Sequence, residues 1–271
     1  MSKPSWGIVM LSVLATALAA RPPAGGETAK SAWAASPPKI DGKADAWTGT
    51  ALSVWDKGDV HYAFRNDADK LYILLVFKNR KFLSTIGETG ITLFFCPAGK
   101  KDKDYAIHFV RRQVPTDEAI ALIEREKPLS DEDKAQLRAK PAYAIYDHQV
   151  QNKKAKAKAA PAANEYQPAH FRFSPDQTSM VYEFAIMLRR GHELAAGVGA
   201  APGELVTVGF EWGGATEAQL KRAVRGSDTG IANENTLSSS IDRMSGSRGV
   251  SLPPKYSFWT SVELAPAAPA R

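Results

Sequence analysis

Two tryptophans sit where an aromatic face could serve a ligand. Trp212 follows Phe210 by two positions, so on a strand both rings point to one side. If that side is the core, Trp212 is packing; if not, it emerges at a loop rim beside Gly213 and Gly214, and the sequence leaves both readings open. Trp259, in the closing segment FWTSVEL, is the second aromatic candidate. Asn66, Asp67 and Asp69 could offer oxygens to a calcium ion, although a cluster of such residues makes a hairpin turn first. The five histidines, His61, His108, His148, His170 and His192, lack the spacing of metal ligands. His61 and His108 fall on predicted strands and read as structural. Met180 and Met187 could serve a haem iron, but their odd spacing on one strand puts them on opposite faces, so haem is not expected.

Nothing in the chain has the layout of a nucleophilic or hydrolytic centre. There is no G-x-S-x-G elbow and no Cys–His pairing. Acidic pairs such as Glu124 with Glu126 and Asp131 with Asp133 lie on predicted exposed helices and read as solvated faces. Cys96 is the one cysteine of the sequence and lies in the apolar run ITLFFC at residues 91–96. A buried inert thiol is the expectation, with no intramolecular disulfide. A non-catalytic protein is expected, with no resident cofactor.

Composition supports a folded chain. Of 271 residues, 44% are hydrophobic and 9% aromatic, enough for a real core. The net charge of +6 comes largely from the low-complexity run KKAKAKAAPAA at 153–163. No basic helix or aromatic-basic motif accompanies it, so nucleic acid is not the expected partner.

The N-terminus has the layout of a secretory signal. Lys3 precedes an apolar or small stretch at residues 6–20, and Ala17-Leu18-Ala19 supplies the small residues of a cleavage site. The apolar stretch is short for a permanent anchor, which needs about 20 residues. Cleavage after Ala19 would leave a mature protein without a transmembrane helix, exported to the periplasm or beyond. Residues 20–37, rich in Pro, Gly and Ala, read as a flexible leader.

Strand signals dominate the rest of the chain. Residues 61–65 and 70–78 flank the turn at 66–69 and predict a hairpin. The second of these runs is apolar on both faces, which predicts a central strand covered on both sides. Residues 91–96 and 105–110 predict a second pair, and further strands are expected at 180–188, 205–212 and 256–264. Helices are predicted at 116–127 and 130–140, the latter opened by a Ser130–Asp133 capping box, and another begins at the box Thr216–Gln219. Residues 111–167 read as one insertion between strands, 226–249 as a long loop, and 266–271 as a disordered tail.

The segment PKIDGKADAW at 38–47, followed by FRNDADKLYI at 64–73, resembles the opening of family-9 carbohydrate-binding modules, which share a DOMON-like sandwich. VTVGFE at 206–211 and FWTSVEL at 258–264 look like the last core strands of that family. The resemblance covers residues 38–110 and 171–264. It implies a two-sheet antiparallel, jelly-roll-like β-sandwich of extracytoplasmic proteins. Ile40, Asp41, Gly42 and Trp47 carry the signature and read as structure: Ile40 and Trp47 as buried anchors, Asp41-Gly42 as a turn. Sugar-binding members clamp a sugar between two tryptophans. Here the corresponding stretches, residues 84–90 and 238–246, contain no aromatic.

The sequence therefore predicts an all-β sandwich spanning residues 38–265, exported and non-catalytic. Its expected partner is a polysaccharide or, in the alternative reading, an envelope protein.

Overall fold

In the computed structural model the described residues are 28–83, 85–155, 166–176, 178–216, 219–220 and 252–267. The strands in chain order are β1 (Ala29–Lys30), β2 (Ala32–Trp33), β3 (Ser53–Trp55), β4 (Val60–Asn66), β5 (Lys70–Phe77), β6 (Ile91–Pro97), β7 (Tyr105–Pro115), β8 (Ala142–Asn152), β9 (His170–Asp176), β10 (Ser179–Met187), β11 (Leu205–Gly213) and β12 (Lys255–Glu263). Among the described residues the α-helices are α1 (Ile86–Thr89), α2 (Thr116–Glu126) and α3 (Asp131–Leu137).

The strands form a β-sandwich. Sheet A runs β1-β12-β11-β6-β7-β8; sheet B runs β2-β4-β5-β10-β9, with β3 also on β4. The sheets are mixed rather than purely antiparallel, because β1 joins β12 and β2 joins β4 in parallel. Alternate residues of each sheet face the gap. Phe64, Phe77, Phe109, Phe184, Phe210 and Trp212 fill it.

β5 is central, as its two apolar faces require. Leu71, Ile73, Leu75 and Phe77 point into the gap, while Tyr72, Leu74 and Val76 form a second cluster on the outer face of sheet B. Trp47 closes that cluster, with Ile40 and Ala44 packed at its margin. The signature residues thus cover the outside of a sheet. Their anchor is Glu183, fully buried on β10. One carboxylate oxygen accepts from the backbone N–H groups of Asp41, Gly42 and Lys43 at 3.0, 2.7 and 3.2 Å; the other accepts the Trp47 indole N–H at 2.7 Å. Gly42 has φ +83°, and a Cβ there would lie 2.7 Å from the Phe173 backbone, so the turn needs glycine.

Two sequence expectations are corrected here. Part of the stretch expected as a flexible leader, residues 29–33, is edge strand: Ala29 pairs with Val262 and Ala32 with Arg65. Small residues suit this crossing, since Ala29 and Ala34 are buried. The segment expected as an insertion is instead a long hairpin. β7 and β8, 11 residues each, pair from Tyr105↔Asn152 to Pro115↔Ala142, and α2 and α3 form its tip. β9 is a further strand that the sequence pattern does not announce. The Ser130–Asp133 capping box forms with both reciprocal bonds, as does the Thr216–Gln219 box.

The stretches expected as a signal peptide (1–19) and as a long loop (226–249), residues 238–246 within the latter, and most of the lysine run and of residues 266–271 lie outside the described residues.

Candidate functional site

The outer faces of the two sheets differ in chemistry. That of sheet B lies under the Trp47 cluster. That of sheet A carries two parallel rows of side chains set by strand register. One row is Trp259–Gly209–Phe94–Ala106–Gln151, and the next is Ser257–Glu211–Thr92–His108–Gln149. Five strands at about 4.8 Å spacing make each row roughly 19 Å long.

Trp259 lies across Gly209. A Cβ on that glycine would come 2.6 Å from the indole, so the bare backbone lets the ring lie down on the sheet. The indole stacks beside Phe94, with centroids 5.6 Å apart and planes at 28°. Lys103 Nζ sits 5.3 Å from the Phe94 centroid. One position along, Glu211 accepts from Lys103 and, at 2.6 Å, from Lys255. Burial would raise the Glu211 carboxyl, but the two lysine hydrogen bonds outweigh it and hold it below the usual carboxylate range. Thr92 Oγ1 lies 3.0 Å from His108 Nδ1, and burial lowers the His108 imidazole below its ordinary value. Phe94 is itself buried, so Trp259 is the ring this face presents, fringed by a carboxylate, two ammonium groups, an imidazole and amides. An apolar ring face can stack on it while its polar substituents reach the fringe.

Of the residues singled out from sequence, the structure places Trp259 on this face and Trp212 in the core. Trp212 is 2% exposed, and its indole donates to the Phe82 carbonyl at 2.7 Å. The inward reading of the Phe210 side is the one found, so Trp212 offers no binding surface. Asp67 is committed to its turn. Oδ1 accepts from the N–H groups of Asp69 and Lys70 at 2.8 and 2.7 Å, and Oδ2 accepts the Tyr72 hydroxyl at 2.6 Å. Asp69 is exposed beside it, and among the described residues no cluster of three or more ligating side chains forms. Cys96 is buried; its thiol donates to the Asp102 carbonyl at 3.1 Å and is pushed up by burial.

Sequence reasoning does not single out Phe94, Gly209 or Glu211. A glycine inside a strand pattern is the available signal, since it marks a place where something approaches the backbone closely.

No protein family model matches the chain, and no curated protein matches it. Among solved structures it is similar to a carbohydrate binding module family 9 from Caldicellulosiruptor kristjanssonii in complex with glucose. The identity is 10% over 89% of this chain and 97% of that one, with a TM-score of 0.36. The β-sandwich assignment accordingly rests on the strand pairing described above. Among the described residues no helix is long and apolar enough to cross a membrane.

Proposed function

We propose that the protein is an exported, non-catalytic binding protein whose ligand is a glycan, held on the outer face of sheet A with Trp259 as the stacking surface. The observation that supports this is the indole laid over Gly209 beside Phe94, with the Glu211–Lys103–Lys255 cluster at its edge. The C–H face of a pyranose packs on such a ring, and its hydroxyls can pair with the flanking carboxylate, ammonium and amide groups. The signal-like N-terminus supports export.

Affinity electrophoresis of the mature protein against a panel of polysaccharides tests the reading. At least one polymer retards the wild type, and Trp259→Ala abolishes that retardation. Gly209→Ala, which lifts the indole off the sheet, weakens it. Absence of retardation by every polymer, or retardation unchanged in Trp259→Ala, overturns the assignment. The second reading, a protein-interaction role at the cell envelope, is favoured by the helices α2 and α3 at the far end of the β7–β8 hairpin. It predicts a protein partner whose capture depends on those helices and not on Trp259.

A further inference from the structure

We propose that the cavity between α2 and the adjoining edges of β8 and β9 is a second ligand site, built for a small neutral polyhydroxylated molecule such as a mono- or disaccharide. The cavity holds about 330 Å³, within the range of small-molecule sites. It lies at the edge of the sandwich, where β8 closes sheet A and β9 closes sheet B, far along the strand order from Trp259 on β12. The inference does not depend on the glycan reading of the Trp259 face.

Its lining is both aromatic and rich in hydrogen-bonding groups. His148 and Tyr166 lie with ring centroids 6.1 Å apart, and Tyr146 forms another wall, with the Arg172 guanidinium 4.6 Å from its centroid. His170 and Glu126 complete the polar set. Burial keeps both imidazoles below their ordinary values, so at neutral pH each presents one donor and one acceptor nitrogen. The Tyr166 hydroxyl likewise donates and accepts. Among the described residues none of these three side chains makes a hydrogen bond, and no buried side-chain N or O atom is left without a partner. All three side chains line the cavity.

Charge decides the ligand class. Glu126 and Asp147 are set against Lys127 and Arg172, two charges of each sign, and Arg112, which pairs with Asp147 at 2.7 Å, is balanced in turn by Glu118 at 2.7 Å. No net charge remains to select an ion. The described residues also hold no three-ligand cluster for a metal. Groups that both donate and accept, with one carboxylate, one guanidinium and flat aromatic walls, match a ligand whose hydroxyls also donate and accept.

Calorimetric titration of the mature protein with glucose, galactose, mannose, cellobiose and maltose tests the site, with sodium glucuronate and sodium phosphate as charged comparisons. At least one neutral sugar binds saturably, and Tyr166→Ala and His170→Leu each weaken it at least tenfold. Tyr166 lies outside the strands, so its variant keeps the wild-type thermal midpoint if His170→Leu does not. Trp259→Ala leaves this binding unchanged, which separates the cavity from the sheet A face. Absence of binding by any neutral sugar, stronger binding of glucuronate or phosphate, or affinity unmoved in both cavity variants overturns the proposal.

Discussion

Glu183 is the side chain on which the cover of sheet B depends. A buried carboxylate is costly unless its oxygens are occupied, and here four N–H groups from one short segment occupy them. Burial still dominates and raises its carboxyl above the usual range. Ala at this position strands those donors against an apolar sheet, at about 1–3 kcal/mol for each that water does not reach. We expect Glu183→Ala to lose at least about 3 kcal/mol, seen as a lower urea midpoint. Trp47 fluorescence should change in the same variant, because the indole loses its acceptor. A variant with an unaltered midpoint would show that the turn is held by Ile40 and Trp47 packing alone.

At the scale of elements, the β7–β8 hairpin separates the sandwich from its appendage. Within α2 only Thr116, Ala119 and Ile120 are buried, and α3 buries nothing. Because Pro115 and Ala142 are cross-strand partners, residues 116–141 can be replaced by an Asn-Gly turn. The shortened protein should unfold cooperatively with stability within about 2 kcal/mol of the parent. It should keep polymer retardation through Trp259 and lose small-sugar binding, since Glu126 and one cavity wall are gone. The hairpin also shows where the sequence is legible. β5 and α3 are readable because a run apolar on both faces and a capping box each have one physical solution. β8 is not. It is an edge strand whose inward side chains, Tyr146, His148 and Val150, are only half-buried, so its alternation is weak. The Trp259 site is half legible, because the aromatic can be named but its register with Gly209 and Phe94 depends on pairings between distant strands.

For the whole molecule, stability should depend on pH through its buried imidazoles. Burial lowers His108, His148 and His170 in the fold, so the unfolded chain takes up their protons first. Their contribution is complete above the unfolded value near 6.5 and is lost as pH falls below it, with a combined slope of up to about 4 kcal/mol per pH unit. Glu183 acts with the opposite sign, since its raised carboxyl favours the fold below its unfolded value and stops doing so as pH rises through the folded one. Urea midpoints measured from pH 7.5 to 5 should therefore fall, and replacing the three histidines by Gln should flatten the curve.

The crossing of residues 29–34 from one sheet to the other has a further consequence. Ala29 pairs with Val262, and Asn66 accepts from both the Ser31 hydroxyl and the Ala265 N–H, so the first and last strands are stitched at one seam. The β1 edge of sheet A therefore cannot be completed until β12 has been made, whereas sheet B needs nothing beyond β10, and contacts this distant along the chain form slowly. The local hairpins β4–β5 and β7–β8 can form while the chain is still growing, but the seam that joins residues 29–34 to the C-terminal strand is the last part of the sandwich to close.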